Sequence, residues 1–400
     1  MRTNFLFLCA LLAGVAFLSS CQKDLRQTEV TLTLNLPEGL SDVKFTHVGV
    51  IFTELNTNRR TTEFALSGNT VSALLDEGTY TVTAHGCVSY KIDTDEYEIN
   101  VQGILESQVF VGATHTAAID LGVVQKKSDF VIQEIYFTGG VTDPDRRQYN
   151  GDKFVKLYNN TDQVLYADGL VIGTTQFLTT DKYDYSPDIM SEAVATDALI
   201  QIPGSGQQYP VQPGESLLIA DNAIDHREFN SRSIDLTIAN FEWYDENLGG
   251  EVDNPEVPNM FNLYSRMLGH NRGFKSWFLA RIPVSNEEYL TDYVYDYTYD
   301  FINAGTVYPM ARSAYKVPNE WIIDAVNLSV ATEFQWLVMS STLDMGWTHC
   351  GSVNSDPERY EKSVIRKVLT TLPDGRVILQ DTNNSAVDFI PDSPVSLLAQ

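Results

Sequence analysis

Val30-Thr31-Leu32-Thr33-Leu34-Asn35-Leu36 decides the fold class. Aliphatic and polar side chains alternate, a period of two that sets Val30, Leu32, Leu34 and Leu36 on one face of a half-buried strand. Pro37-Glu38-Gly39 breaks the run. The same grammar repeats outward. Phe45 to Thr53 reads as a strand, and so does Val71 to Leu75 after the turn Ser67-Gly68-Asn69. Asp76-Glu77-Gly78 precedes Tyr80, Val82 and Ala84, which alternate with threonines. Tyr97–Val101, Ser107–Val111 and Thr116–Leu121 follow. About seven short strands at roughly 8–12-residue spacing predict a β-sandwich over residues 29–124.

Gln125-Lys126-Lys127-Ser128 is a polar hinge, and strand runs resume beyond it. They are Phe130–Phe137, Phe154–Tyr158, Val164–Ile172 with a kink at Gly169, and Ser216–Ala220. The expectation is a mostly β chain with two sandwiches in tandem, 29–124 and 129–400. Composition agrees, since 11% of residues are aromatic and 20 are tyrosine, types that favour strands. Asp and Glu number 53 against 27 Lys and Arg, a net charge of -26. That field repels phosphate backbones and excludes a general nucleic-acid binder.

The N-terminus reads as an address. Arg2 precedes an apolar or small stretch from Phe5 to Leu18, ending in Leu18-Ser19-Ser20-Cys21. A bilayer span needs about 20 residues, so this shorter run is a signal h-region and not an anchor helix. Small residues before Cys21 make a lipobox, which predicts a signal peptide over 1–20, a lipidated Cys21 and a tether over 21–28. The membrane is therefore a partner through the N-terminal lipid, at the outer membrane or cell surface. Of the four cysteines, Cys9 leaves with the signal. Cys87 and Cys350 remain in an oxidising compartment, open to a disulfide or to two buried thiols.

Further stretches resemble known families. Leu36-Pro37-Glu38-Gly39 and the turn-strand from Asp76 to Ala84 resemble prealbumin-like or carboxypeptidase-regulatory-like sandwiches. Gln133-Glu134-Ile135-Tyr136 and Asp152 to Asn160 resemble the opening of a lamin-tail domain. Pro213 to Ile219, Trp321 to Val326, Ser363 to Lys367 and Asp381 to Phe389 resemble its later elements. The combination is similar to an uncharacterised Bacteroidetes-type family of surface lipoproteins. The resemblance implies immunoglobulin-like sandwiches, the second enlarged by an insertion at about 224–315. It implies no chemistry, because function lies in sites and not in folds.

Residues that could carry chemistry are few. Nucleophile-elbow, zinc-protease, phosphate-loop and Cys-x-x-Cys motifs are absent. Asp245, Asn247, Asp253 and Glu256 fall at positions 1, 3, 9 and 12 of a calcium loop, with Gly250 at position 6. Gly249 fails at position 5, and the other reading is a solvated acidic loop. Calcium is accordingly the strongest metal candidate, with no cofactor firmly marked. His85-Gly86-Cys87 and His349-Cys350 could together hold a soft metal, or simply pack. Trp243 and Tyr244, beside the acidic loop, are the candidate ligand platform. Tyr293, Tyr295, Tyr297, Tyr299 and Phe301 share one face of a strand, as a platform or as core. Asp381-Thr382-Asn383-Asn384-Ser385 fits a loop stabilised by its own side chains.

These residues suggest a lipid-anchored, non-enzymatic binding protein that captures a nutrient for a TonB-dependent outer-membrane transporter. One alternative is a structural or adhesive lipoprotein making protein contacts. The other is a carboxylate-dependent hydrolase such as a glycosidase, which would need two facing acids from Glu242, Asp245 and Glu251.

Overall fold

In the computed structural model the described residues are 26–36, 41–63, 65–92, 95–124, 129–245, 252–265 and 268–398. The signal segment, Cys21 and the 125–128 hinge lie outside them. The chain divides into two compact units, one ending at Gly122 and one starting at Val123.

The first unit is built from strands β1 (Gln27–Asn35), β2 (Ser41–Glu54), β3 (Arg60–Glu63), β4 (Thr70–Asp76), β5 (Gly78–Ile92), β6 (Asp95–Phe110) and β7 (Thr114–Asp120); β8 (Gly122–Val124) follows. One sheet runs β4-β1-β7, the other β3-β2-β5-β6-β8. Val30, Leu32 and Leu34 of β1 pack with Val50 and Phe52 of β2 and Val82 of β5 in one core. The period-two runs thus supply the facing sides of two sheets. Tyr97–Val101 and Ser107–Val111, read as separate strands, belong to the single long β6 apart from Val111.

The second unit continues with β9 (Phe130–Tyr136), β10 (Gly140–Val141), β11 (Gln148–Tyr149), β12 (Phe154–Asn159), β13 (Leu165–Tyr166), β14 (Leu170–Thr175), β15 (Ala193–Gln201), β16 (Pro210–Val211), β17 (Ser216–Ala220), β18 (Phe241–Glu242), β19 (Phe261–Tyr264) and β20 (Trp277–Arg281). Helix α1 (Asn286–Asp292) separates these from β21 (Val294–Asn303), β22 (Thr306–Pro318), β23 (Ile322–Val326), β24 (Lys362–Arg366), β25 (Val368–Thr371) and β26 (Val377–Leu379). The short α2 (Ser385–Asp388) and β27 (Phe389–Pro394) close the unit.

One sheet runs β18-β17-β12-β9-β24-β27 and the other β21-β22-β15-β14-β20-β23, with β19 also on β15. Ile132, Val155, Leu157 and Ile219 of the first sheet meet Leu170, Ile172, Trp277 and Leu279 of the second in one core. The second sheet is covered on its other face too. Val171, Phe278 and Ala280 point there, against Tyr289 of α1, Tyr295, Tyr297 and Trp336. A strand buried on both sides reads as a continuous apolar run, which is why Leu170-Val171-Ile172 and Trp277-Phe278-Leu279-Ala280 show no alternation.

The segment 224–315 is therefore not an appendage to a finished sandwich. Its β20 sits between β14 and β23 inside the sheet, antiparallel to both. The close fit shows at Gly173, where an added Cβ would lie 2.2 Å from Phe278 Cζ and 2.8 Å from Leu199 Cδ2.

The chain's closing segments converge on Arg366. Its Nη2 donates to both carboxylate oxygens of Asp324 at 2.8 and 2.6 Å. Nε donates to Ile132 O at 2.7 Å and Nη1 to Asp381 Oδ1 at 3.2 Å. Asp388 stands 3.9 Å away. Asp388 in turn accepts from Thr382 N and Thr382 Oγ1, both at 2.8 Å, and Asn384 Oδ1 accepts from Ala386 N at the start of α2. Ser385 N and Oγ donate to buried Asp344. The polar groups of the 381–385 string thus bind backbone and buried side chains of the same unit.

Candidate functional site

The site begins with a hairpin. β21 and β22 pair in register from Val294↔Tyr315 to Asn303↔Thr306, leaving Ala304 and Gly305 as a two-residue loop. Both have positive φ, 49° and 79°. That is the geometry whose twist matches the flanking strands.

Along β21 the period-two aromatics leave the core step by step. Tyr295 and Tyr297 are 3% and 5% exposed, Tyr299 is half-buried and Phe301 is 38% exposed. Their rings form a ladder, with centroids 5.0 Å apart between Tyr295 and Tyr297 and 6.1 Å between Tyr297 and Tyr299. The chain segment after β14 lies along this edge strand. Ser186 and Thr298 exchange two backbone hydrogen bonds of 2.9 Å, and Tyr295 Oη donates to Pro187 O at 2.7 Å. This pins Tyr183 5.0 Å from Tyr299 and stacks Tyr185 on Phe177 at 3.7 Å.

Two cavities open between the pinned loop and the hairpin. The outer cleft, about 870 Å³, is lined by Tyr183, Asp184, Tyr299, Asp300, Met310 and Gln335, among others. Below it a pocket of about 250 Å³ is lined by Phe177, Tyr185, Tyr295, Trp336, Asp188 and Met190, among others. Lys182, Tyr183 and Asp184 line both. The outer volume falls in the range of about 300–1,000 Å³ usual for organic ligands.

The walls are aromatic and the mouth is acidic. Asp184 and Asp300 carry no hydrogen bond or ion pair among the described residues. Among the described residues Lys182 is the one cation lining either cavity, and its Nζ sits 5.8 Å over the Trp336 ring. Trp336 is fixed by Nε1 donating to Leu178 O at 2.9 Å. Burial, with Tyr297 and Tyr299 nearby, raises the Tyr185 phenol above its ordinary value, and burial with Asp181 nearby raises that of Tyr183. Both stay protonated at neutral pH and can donate.

The other residues named from sequence lie elsewhere. Trp243 is 5% exposed and belongs to the core between the sheets. The reason is local: β18 pairs parallel with β17, Trp243 N donates to Ala220 O at 3.1 Å, and alternation turns Phe241 and Trp243 inward together. It is no surface platform. Tyr244 beside it is half-buried.

Glu242 is fully buried, accepting from Ala223 N at 2.7 Å and Asn254 N at 2.9 Å. It braces two loops and does not face a cleft. Asp245 is buried, whereas Asp253 and Glu256 are exposed. Asp253 Oδ1 accepts from Asn259 Nδ2 at 2.8 Å. Asn247, Gly250 and Glu251 lie outside the described residues. Among the described residues no group of three or more His, Cys, Asp or Glu is placed to hold a metal.

Cys87 and Cys350 are both free and buried, so no disulfide joins them here. Burial raises the Cys350 thiol. The residues missed from sequence are Lys182, Tyr183, Tyr185 and Gln335. They sit on irregular segments where no periodicity marks a face.

The fold and the cleft together define a class: a β-rich protein, sheet packed on sheet, with an aromatic-walled cleft at the edge of one sheet. Within that class, residues 212–396 match a family described as a protein of unknown function, DUF4876. A crystal structure of a DUF4876 family protein from Bacteroides thetaiotaomicron VPI-5482 superposes with a TM-score of 0.53 at 22% identity, covering 92% of this chain and 96% of that one. That likeness concerns the fold alone. These matches do not address the lamin-tail or prealbumin relatives expected from sequence. A chain described as a "putative adhesin" from Bacteroides ovatus ATCC 8483 matches with a TM-score of 0.17 at 10% identity, covering 72% of this chain and 84% of that one, too poor a superposition to argue from. No curated protein matches the chain. Among the described residues no helix is long and apolar enough to cross a membrane.

Proposed function

We propose that this protein is a non-enzymatic binding protein, held at the outer membrane or cell surface by a lipid on Cys21, that captures a small organic ligand in the aromatic cleft. Hand-over to a TonB-dependent transporter is the setting its lipoprotein character suggests. One observation carries the reading: the ring ladder of β21 runs out of the core and ends in the wall of an 870 Å³ cleft. A residue needed only for packing has no reason to face such a space. Loops and edges on a rigid sheet scaffold are where binding sites concentrate. The test is calorimetry of the chain from Cys21 on, carrying Cys21→Ser, against a panel of oligosaccharides and organic amines. Tyr299→Ala and Tyr183→Ala should abolish binding while leaving the melting temperature nearly unchanged. Binding that survives both substitutions would refute the cleft as the site.

A second reading, adhesive contact, has its own observation. At the hairpin tip Phe301, Ile302, Val307 and Tyr308 are 38%, 64%, 51% and 47% exposed. An apolar cluster projecting from an edge strand suits a protein contact. Pull-down with wild-type chain against Val307→Asp/Tyr308→Asp separates the two, since neither position lines the cleft or the inner pocket.

A further inference from the structure

We propose that the inner pocket recognises an organic ammonium group, a primary or quaternary amine carried by a small ligand. The inference rests on the cleft being the ligand site and names the chemistry it selects. Three features of the pocket converge on a cation. Its wall carries the Trp336 ring, a π-face that attracts positive charge, together with Tyr185, Tyr295 and Phe177. Asp184 and Asp188 stand in the same wall. A cation already occupies the ring face: the Lys182 ammonium lies 5.8 Å from the Trp336 centroid, near the outer limit of about 6 Å for such contacts. Lys182 is itself exposed and has no ion pair among the described residues. It is a loosely held internal occupant that an entering ammonium can displace.

The ring geometry disfavours a flat sugar in the pocket. Tyr185 has one face covered by Phe177 at 3.7 Å, and Tyr183 and Tyr299 are tilted 43° on each other at 5.0 Å. These rings pack against one another and make no continuous shelf for a pyranose. A compact, roughly spherical ammonium group needs only the Trp336 face and a nearby carboxylate. Asp184 lines both the cleft and the pocket, so it can meet the charge on the way in. The chain's net charge of -26 draws cations toward such a mouth and repels anions.

The test is calorimetric titration of the Cys21→Ser chain with choline and with its uncharged isostere 3,3-dimethylbutan-1-ol. Choline should bind on the order of tenfold more tightly or better. Asp184→Asn should weaken choline binding. Lys182→Gln should strengthen it, because the competing internal cation is gone; a merely structural Lys182 would not give that sign. Equal affinity for choline and the isostere overturns the proposal. So does weaker choline binding in Lys182→Gln. If neither probe binds but neutral maltohexaose or cellohexaose does, and Tyr299→Ala abolishes it, the ammonium proposal falls while the cleft reading stands. If none of these probes binds, the proposal falls and the cleft reading loses its support.

Discussion

Removing Arg366 should harm the second unit more than removing its best partner. Arg366→Met leaves three carboxylates without their cation: Asp324, Asp381 and Asp388, whose side chains are 4%, 14% and 2% exposed. Breaking a buried pair by removing one partner costs about 3–5 kcal/mol, and three stranded acids put this variant at the upper end. Asp324→Asn leaves the guanidinium with Asp381 and Asp388, and Asn keeps an oxygen for Ile132 N, which now donates to Asp324 at 2.6 Å. About 2–3 kcal/mol is expected there, the scale of a lost charged hydrogen bond plus partial desolvation. At roughly 2–4 °C per kcal/mol for a unit of this size, the drops are about 10–20 °C and 4–12 °C. Burial already raises the Asp324 carboxyl above its ordinary range, with the guanidinium opposing. Without Arg366 the main opposing charge is gone, so the penalty of Arg366→Met should shrink as pH falls toward about 5 and the stranded acids take up protons. Urea unfolding of both variants at neutral and acidic pH measures this. An equal or smaller loss for Arg366→Met, or a loss independent of pH, would refute the assignment of Arg366 as the shared counter-ion of three acids.

Gly173→Ala should destabilise by about 1–3 kcal/mol, because the new methyl meets Phe278 and Leu199 in strands packed on both faces; Gly173→Ala/Phe278→Leu should recover part of it in thermal melts. Burial pushes the carboxyls of Asp152 and Asp344 up to about 6 and about 7, from 3.8. Because the folded values lie above the unfolded one, the native state binds extra protons between about pH 4 and 7, and this stabilisation is lost as pH rises through that window. Denaturant midpoints should therefore fall from about pH 5 to about pH 8, and Asp344→Asn should flatten the slope even if it lowers stability throughout. Cys87 and Cys350 should resist thiol reagents in native protein and label fully in denaturant, while a reducing agent leaves the melting temperature unchanged; rapid native labelling of either thiol, or melting lowered by the reductant, would contradict two buried free thiols.

Strands with one solvated face were legible because their period survives in the sequence: along β1 the buried positions alternate, falling on Thr28, Val30, Leu32 and Leu34. Strands buried on both faces lost that signal. Trp277–Arg281 passed as part of an insertion because Trp, Phe, Leu and Ala in succession announce burial without announcing which sheet claims them. The predicted platform failed for the same reason in reverse. Trp243 next to an acidic loop looks exposed, but its backbone joins a sheet through β17, and the sheet and not the neighbouring charge decides where the ring points. The tyrosine strand was open to two readings, and the structure divides them along its length, with Tyr295 and Tyr297 in the core, Tyr299 in the wall of the cleft and Phe301 exposed toward the hairpin tip. The loop residues that complete the site, Tyr183, Tyr185 and Gln335, come from segments brought together only by tertiary packing.

That division explains why the cleft lies where it does. β21 is the outermost strand of its sheet, and its far edge is met by one bridge, Ser186 to Thr298. Inward of that bridge the loop closes over Tyr295 and Tyr297 and makes core. Outward of it Tyr183 still meets Tyr299 at 5.0 Å, but the loop no longer seals the rings from solvent as the same aromatic alternation continues. Tyr299 is the last aromatic of β21 packed on that core. The hairpin runs on beyond it to Asn303 and carries Phe301 where the core no longer needs a ring. Shortening the hairpin by deleting 300–309 and restoring a two-residue turn tests what those residues are for. The core beneath, sealed by the Ser186 bridge, predicts a melting temperature within a few degrees of wild type, whereas the outer cleft loses Asp300, Ile302 and Pro309 from its wall. Intact stability with lost ligand binding would mean the extension serves recognition; a large loss of stability would mean that the tip, and not the bridge, seals the core.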